Sequence, residues 1–142
     1  MRQVNVSFEQ RQRIAAAALQ RCGYCQTQEM VAGMPFEVEH IVPRKLGGSS
    51  DDSNLWLACP RCNRFKGDRT HGLDTATRAL APLFNPRRQI WKEHFVWADG
   101  GISIVGLTPT GRATVHTLQM NNPYATRARS IWVALGWHPP HN

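Results

Sequence analysis

Residues 38–66 read VEHIVPRKLGGSSDDSNLWLACPRCNRFK and contain an acid next to a histidine, two isolated asparagines and two cysteines separated by two residues. The alternation of hydrophobic residues over 36–42 predicts a strand ended by Pro43, and NLWLA predicts a second short strand. KLGGSSDDSN between them has the composition of a loop. CNRFKGDR has room only for a short helix that ends near Gly67. The stretch therefore predicts two strands joined by a long loop and followed by a helix.

The four cysteines form two C-x2-C pairs, Cys22 with Cys25 and Cys59 with Cys62. Two such pairs are typical of a tetrahedral zinc site with four thiolate ligands. Disulfide bonds are the alternative, but an intracellular compartment keeps thiols reduced. Four thiolates leave no open coordination position, so we expect structural Zn2+ at these cysteines and no catalysis by it.

Length and hydropathy limit the class of protein. The 142 residues fit one domain, or one domain with an extension. The apolar run at 14–19 is far shorter than the roughly 20 residues of a membrane helix, and an arginine precedes it. We therefore expect an intracellular, cytoplasmic protein without a membrane span or a signal peptide.

The formal net charge is +7, but residues 36–70 carry a surplus of only one positive charge. The excess lies on both flanks of this stretch, as it would if the flanks bound a polyanion around a nearly neutral centre. A generally solvated basic surface is the alternative. Charge alone does not decide between nucleic-acid binding and this alternative.

Helix and turn signals predict the remaining elements. Ser7 and Gln10 form a capping box for a helix over 8–21. Asp74 is in a position to cap a short helix to about Ala81. HFVW-ADGG-ISIV reads as a hairpin with a glycine-containing turn. Two further helices are predicted in the last third of the chain, one from Thr108-Pro109 to about Gln119 and one from Asn122-Pro123 that Gly136 ends.

These elements predict an α+β fold in three segments. An N-terminal helix occupies 1–21, a compact core occupies 22–70, and an α+β extension packed on that core occupies 71–142. Four of the five tryptophans of the chain lie after residue 90, which suggests that the extension packs against the core.

VEHIVP, then GG, then SNLWLACPRCNRFKG, preceded by CGYC, resembles the HNH endonuclease family over about residues 20–70. The resemblance implies a ββα-metal core, also called a His-Me finger, with a structural four-cysteine zinc site. The three family positions would hold His40, Asn54 and Asn63, which makes this a His-Asn-Asn variant.

The resemblance also implies roles in metal-dependent hydrolysis of DNA phosphodiester bonds. His40 would be the general base, and Glu39 and Asn63 would hold one catalytic Mg2+ or Mn2+. Asn54 would bridge the loop between the strands and orient the backbone of the histidine. Because neighbours on an ideal strand point to opposite faces, Glu39 would need a locally bent strand end to reach the metal. The implied contacts with nucleic acid are made by Arg44, Arg64 and Lys66.

Two alternatives to a DNA endonuclease stay open. A zinc module that binds nucleic acid without cutting it shares the cysteine pairs and the basic flanks but does not need Glu39, His40 and Asn63 together. RNA is the other candidate substrate, because the sequence offers no groove-reading element that separates it from DNA. A homodimer is equally open, since nothing in the sequence indicates the oligomeric state.

Overall fold

The computed structural model describes residues 6–141. The first five residues of the expected N-terminal segment 1–21 therefore lie outside the described part. The last residue of the expected extension, residue 142, also lies outside it. Helix α1 spans Phe8–Ala17, and the Ser7 side chain accepts a hydrogen bond from the backbone nitrogen of Gln10 at 3.0 Å. The expected helix to residue 21 is too long, because the backbone turns to positive φ at Leu19 and Gln20. The Gln10 side chain does not return to the cap but donates to the Ser50 carbonyl and to Asp52, far along the chain.

The two strands expected between the cysteine pairs are present. After the short helix α2 (Glu29–Ala32), strand β1 (Glu37–His40) pairs antiparallel with β2 (Leu55–Ala58). Their connection contains two single turns of 3-10 helix, Arg44–Leu46 and Asp52–Asn54. Helix α3 (Pro60–Lys66) follows β2 directly and ends at Gly67, as predicted.

The prediction of a short helix after Asp74 is wrong. Strands β3 (His71–Leu73) and β4 (Leu80–Pro82) form an antiparallel pair there. The Asp74 carboxylate accepts from the backbone nitrogen of Ala76 and from the Thr77 hydroxyl, so it stabilises the turn between the strands. It also accepts two hydrogen bonds from Arg112.

The last third of the chain has the predicted order of elements. After α4 (Trp91–His94), β5 (Phe95–Ala98) and β6 (Ser103–Gly106) form the expected hairpin around the 3-10 turn Asp99–Gly101. Helices α5 (Pro109–Thr117) and α6 (Pro123–Ala134) begin at the predicted caps, Thr108 and Asn122. Each cap accepts a hydrogen bond from the backbone nitrogen three residues later, at 3.0 Å.

One continuous cluster of buried side chains joins the cysteine pairs and β2 to the elements after residue 71. It contains Cys22, Cys25, Phe36, Leu57, Cys59, Cys62, Phe84, Phe95, Ile104, Leu118 and Met120, among others. Helices and small antiparallel sheets thus share one core, which confirms the predicted α+β class. Across residues 6–141, no helix is long and apolar enough to cross a membrane.

Candidate active site and zinc centre

The four cysteines converge although 33 residues separate the two pairs. All four side chains are buried, and their sulfur atoms lie within 4.8 Å of one another. The Cys25 and Cys59 sulfurs are 3.8 Å apart, which equals the edge of about 3.8 Å expected for a tetrahedron with Zn–S bonds of about 2.3 Å.

Backbone groups also prepare these sulfurs for a metal. The amides of Tyr24 and Cys62 each donate to a cysteine sulfur at 3.4 Å, to Cys22 and Cys59 respectively. Such donors stabilise thiolates. The donor set and its spacing therefore fit structural zinc.

His40 is the last residue of β1 and is half-buried. Its Nε2 shares a hydrogen bond of 2.9 Å with the Ser50 hydroxyl across the loop. Burial lowers the pKa of His40 below its usual 6.5, and the positive charges of Arg44 and Lys66 lower that pKa further. The imidazole is therefore mostly neutral at pH 7 and able to accept a proton.

Asn54 clamps the loop that follows His40. Its Oδ1 accepts from the backbone nitrogen of Val42 at 2.9 Å, and its Nδ2 donates to the carbonyls of Val42 and Ser49 at 2.9 and 2.8 Å. The loop needs glycine at 48, because a Cβ there would lie 1.8 Å from the Val42 oxygen. Asn54 thus ties Val42, two residues after His40, to Ser49 on the other side of the loop.

Glu39 lies inside the fold, with 3% of its surface exposed. Its carboxylate accepts a hydrogen bond from the Tyr24 hydroxyl and forms an ion pair with Lys66 Nζ at 3.2 Å. Burial raises the pKa of Glu39, and the Lys66 charge and the Tyr24 hydroxyl offset part of that rise. Glu39 and His40 therefore point to different parts of the molecule, one toward α3 and the other toward the loop.

Lys66 is also buried, with 1% exposure, and donates to the Ile41 carbonyl at 2.9 Å as well as to that of His40 at 3.3 Å. The resemblance implied a contact between this ammonium and a phosphate. The structure places it in an ion pair with the buried Glu39 carboxylate and against the carbonyls at the end of β1.

Asn63 lies on α3 beside a carboxylate that the sequence did not single out. Its Nδ2 donates to Glu37 Oε1 at 2.7 Å, and Glu37 is exposed. Glu37 and Glu39 share one face of β1, since alternate residues of a strand point the same way. The alternation in EVEH is the signal that could have pointed to Glu37, because it places Glu37 on the face of Glu39, but it does not identify a neighbour on α3.

The remaining candidates differ in exposure. Arg44 lies in the 3-10 turn after β1 and is partly exposed, whereas Arg64 is exposed on α3. Carboxylate and amide oxygens on facing parts of β1 and α3 are hard donors of the type that Mg2+ and Mn2+ prefer. Glu37 and Asn63 offer such oxygens at the surface, while Glu39 offers one only if it separates from Lys66.

Residues 22–69 match the family model of the HNH endonucleases. Comparison with curated proteins found no match, and comparison with solved structures found none. The matched segment begins at the first cysteine and contains both cysteine pairs, the β1–β2 hairpin and α3. Residues 22–69, called the HNH domain below, are thus similar to a type of domain whose usual activity is the cleavage of nucleic acids.

Proposed function

We propose that this protein is an endonuclease that hydrolyses DNA phosphodiester bonds, with His40 as the general base. The observation that carries the proposal is the position of His40: its half-buried imidazole lies at the end of β1, inside the HNH domain, and shares a hydrogen bond with the Ser50 hydroxyl. A base needs a free nitrogen lone pair at the working pH, and a lowered pKa provides it.

His40 would take a proton from the attacking water as that water's oxygen bonds to phosphorus. The bond between phosphorus and the 3′ oxygen of the DNA then breaks, and that oxygen leaves with a proton from solvent. By family resemblance, the products carry 3′-hydroxyl and 5′-phosphate ends. Ser50 and Asn54 hold the ring and the loop, so they position His40 for this step.

The second part of the proposal concerns a divalent cation held by Asn63 and Glu39. Bound Mg2+ or Mn2+ would neutralise charge on the phosphate and on the leaving oxygen. To hold the cation, Glu39 would have to exchange the Lys66 ammonium for it, and Glu37, already hydrogen-bonded to Asn63, would offer a second carboxylate on the same face of β1. Lys66, once separated from Glu39, would be available to a phosphate of the DNA backbone, the contact that the family resemblance implies for it.

Contacts with the DNA backbone are proposed for Arg44 and Arg64. Arg44 lies close enough to His40 to affect its pKa, so it is suited to a phosphate at the reacting position. Arg64 is exposed on the same helix as Asn63 and is suited to a neighbouring phosphate.

Plasmid cleavage tests the proposal. The parent protein with Mg2+ or Mn2+ should nick or cut the DNA, and His40→Ala should lose that activity by about 10²-fold or more while still binding zinc and DNA. His116→Ala is the matched control, because His116 is exposed on α5, and it should cut like the parent.

Equal cleavage by His40→Ala and the parent would remove His40 from the mechanism. Binding of DNA without cleavage in Mg2+, Mn2+ and Ni2+ would support the non-catalytic zinc module instead. A parallel assay with structured RNA identifies the substrate, since cleavage of RNA alone would contradict the DNA assignment.

A further inference from the structure

Residues 85–89, called the arginine turn below, present two consecutive arginines outside the HNH domain. The Asn85 Oδ1 accepts hydrogen bonds from the backbone nitrogens of Arg87 and Arg88, at 3.0 and 3.2 Å. The Asn85 backbone nitrogen donates to Gln89 Oε1 at 2.8 Å. Side-chain hydrogen bonds of this kind fix a turn, so the backbone of both arginines is held in place.

The Arg87 side chain lies on strand β2. Its Nε donates to the Leu55 carbonyl at 3.2 Å, and its guanidinium carbon is 5.0 Å from the centre of the Trp56 ring. That ring is packed between Gly23 and Pro86, because a Cβ at Gly23 would collide with both. One edge and one face of the guanidinium are therefore fixed by the protein.

The remaining nitrogens of these arginines have no protein partner in the described part of the chain. Neither Nη nitrogen of Arg87 donates to residues 6–141, and the exposed Arg88 side chain makes no hydrogen bond or ion pair with them. Asp52, the acid of the 3-10 turn before β2, forms its ion pair with Arg13, at 3.0 Å. A guanidinium held by its Nε with both Nη nitrogens available is suited to bidentate binding of a phosphate.

The arginine turn lies at the edge of β2 that faces away from β1. The Asn54 carbonyl accepts from the Ile41 nitrogen at 2.9 Å, so it faces the side of β1. Successive carbonyls of an extended chain point to opposite edges, so the Leu55 carbonyl that Arg87 contacts lies at the other edge. Leu55 is also the register partner of His40. The arginine turn and His40 are thus separated by about the width of one strand.

The arginines proposed above as phosphate contacts lie on the other side of the hairpin. Helix α3 contacts β1 through the ion pair between Lys66 and Glu39, and it carries Arg64. Arg44 follows β1 in the loop. A DNA strand whose reacting phosphate lies at His40 therefore has positive charge on both sides of that phosphate.

We propose that the arginine turn is a second contact surface for duplex DNA, where Arg87 and Arg88 each bind a backbone phosphate on the β2 side of the cleaved bond. The extension after residue 71 thus lengthens the stretch of DNA that the HNH domain holds. Phosphate contacts fix the position of the duplex and carry no sequence information. This inference rests on the proposed function, because it takes DNA as the bound polymer.

The salt dependence of binding to a DNA duplex of about 20 base pairs tests the proposal. All proteins carry His40→Ala, so that the DNA stays intact during the measurement. Each phosphate contact contributes about 0.9 to the slope of log association constant against log salt concentration. Arg87→Gln and Arg88→Gln should each make this slope less steep by about 0.9, and should weaken binding at low salt by about 10-fold.

Three further variants separate a phosphate contact from a structural role. Arg127→Gln is the matched control, because Arg127 is exposed on α6, and it should keep the parent's slope. Arg87→Lys keeps the charge and should recover the slope. The double variant Arg87→Gln/Arg88→Gln should lose about twice the slope of either single variant. A variant that only loosens the fold would bind more weakly without a change in slope.

The proposal is overturned if Arg87→Gln and Arg88→Gln both keep the parent's slope, or if Arg127→Gln changes the slope as much as they do. If Arg87→Gln does not fold, Arg88→Gln decides alone, because the Arg88 side chain contacts none of the described residues through a hydrogen bond or ion pair. An unchanged slope in a protein whose parent cuts plasmid DNA would overturn this inference alone. The expected changes in slope in a protein whose parent never cuts would overturn the proposed nuclease activity alone.

Discussion

Burial and the neighbouring positive charges together set the pH range in which His40 can act as a base. Burial is the larger cause of the lowered pKa of His40, and the positive charge of Arg44 lowers that pKa further. Cleavage by the parent should therefore rise with pH through a midpoint below 6.5 and be level at neutral pH. Arg44→Ala removes one positive charge, so the pKa of His40 should rise and the ascending limb should move to higher pH.

The measurement is the rate at saturating DNA between about pH 5 and 8, where an unperturbed histidine titrates. Lys45→Ala is the control, because the neighbouring Lys45 pairs with Asp68 and should leave the limb in place. An unchanged limb in Arg44→Ala would mean that a group other than His40 controls the rate.

The buried ion pair between Glu39 and Lys66 predicts an effect on stability. Lys66→Met leaves Glu39 buried without its counterion and should lower the free energy of unfolding by about 3–5 kcal/mol. The double variant Glu39→Gln/Lys66→Met removes both charges and should be clearly more stable than Lys66→Met. Urea unfolding of the zinc-loaded proteins measures both effects.

Asp68→Asn is the control for this prediction. The Lys45–Asp68 pair has side-chain exposures of 77% and 62%, so its removal should change the unfolding free energy by about 1 kcal/mol or less. Equal stability of Lys66→Met and the parent would show that the Glu39 carboxyl is neutral in the folded protein.

At the scale of elements, the loop between β1 and β2 is held by one side chain. Asn54 makes three hydrogen bonds to backbone atoms of this loop, and the loop also carries Ser50, the partner of His40. Asn54→Ala should therefore lower the cleavage rate by about 10²-fold through misplacement of His40. The zinc content should stay at the parent's value, because the cysteines lie outside the loop.

Cleavage rates and zinc content of Asn54→Ala and Ser53→Ala test this prediction. Ser53 is the exposed neighbour in the same 3-10 turn and should tolerate alanine. A parent-like rate for Asn54→Ala would show that the loop keeps its shape without the amide clamp.

At the scale of the whole molecule, the HNH domain shares its core with the rest of the chain. Phe84, Phe95, Ile104 and Leu118 all belong to the buried cluster that contains the cysteines. A fragment of residues 1–70 should therefore fail to fold cooperatively even with zinc, because it loses these partners and exposes apolar surface.

Thermal unfolding followed by circular dichroism compares this fragment with the full chain at equal zinc concentration. The full chain should unfold in one cooperative transition and the fragment in none. A sharp transition in the fragment would mean that residues 1–70 fold independently and that the shared core is not needed for folding.

Local sequence signals predicted most elements of this fold. The caps at Ser7, Thr108 and Asn122 act through the next few residues, so the sequence alone determines where those helices begin. The same holds for the cysteine pairs, whose spacing indicates their common site. The prediction of a helix after Asp74 was wrong because an N-terminal helix cap and a turn use the same side-chain hydrogen bonds. The pairing of β3 with β4 favoured the turn.

The partners of the charged side chains were decided by the tertiary structure. The sequence puts Glu37 and Glu39 on one strand and Asn63 and Lys66 on the helix that follows the hairpin. It does not determine which acid faces which group on α3. That choice depends on the packing of α3 on β1, which buries one acid with Lys66 and leaves the other beside Asn63. Arg129 is the extreme case, because the packing of α6 buries its charge and lets its guanidinium donate to the carbonyls of Ile102 and Met120, far from it along the chain. Burial and charge act through space, and the order of residues alone does not determine them.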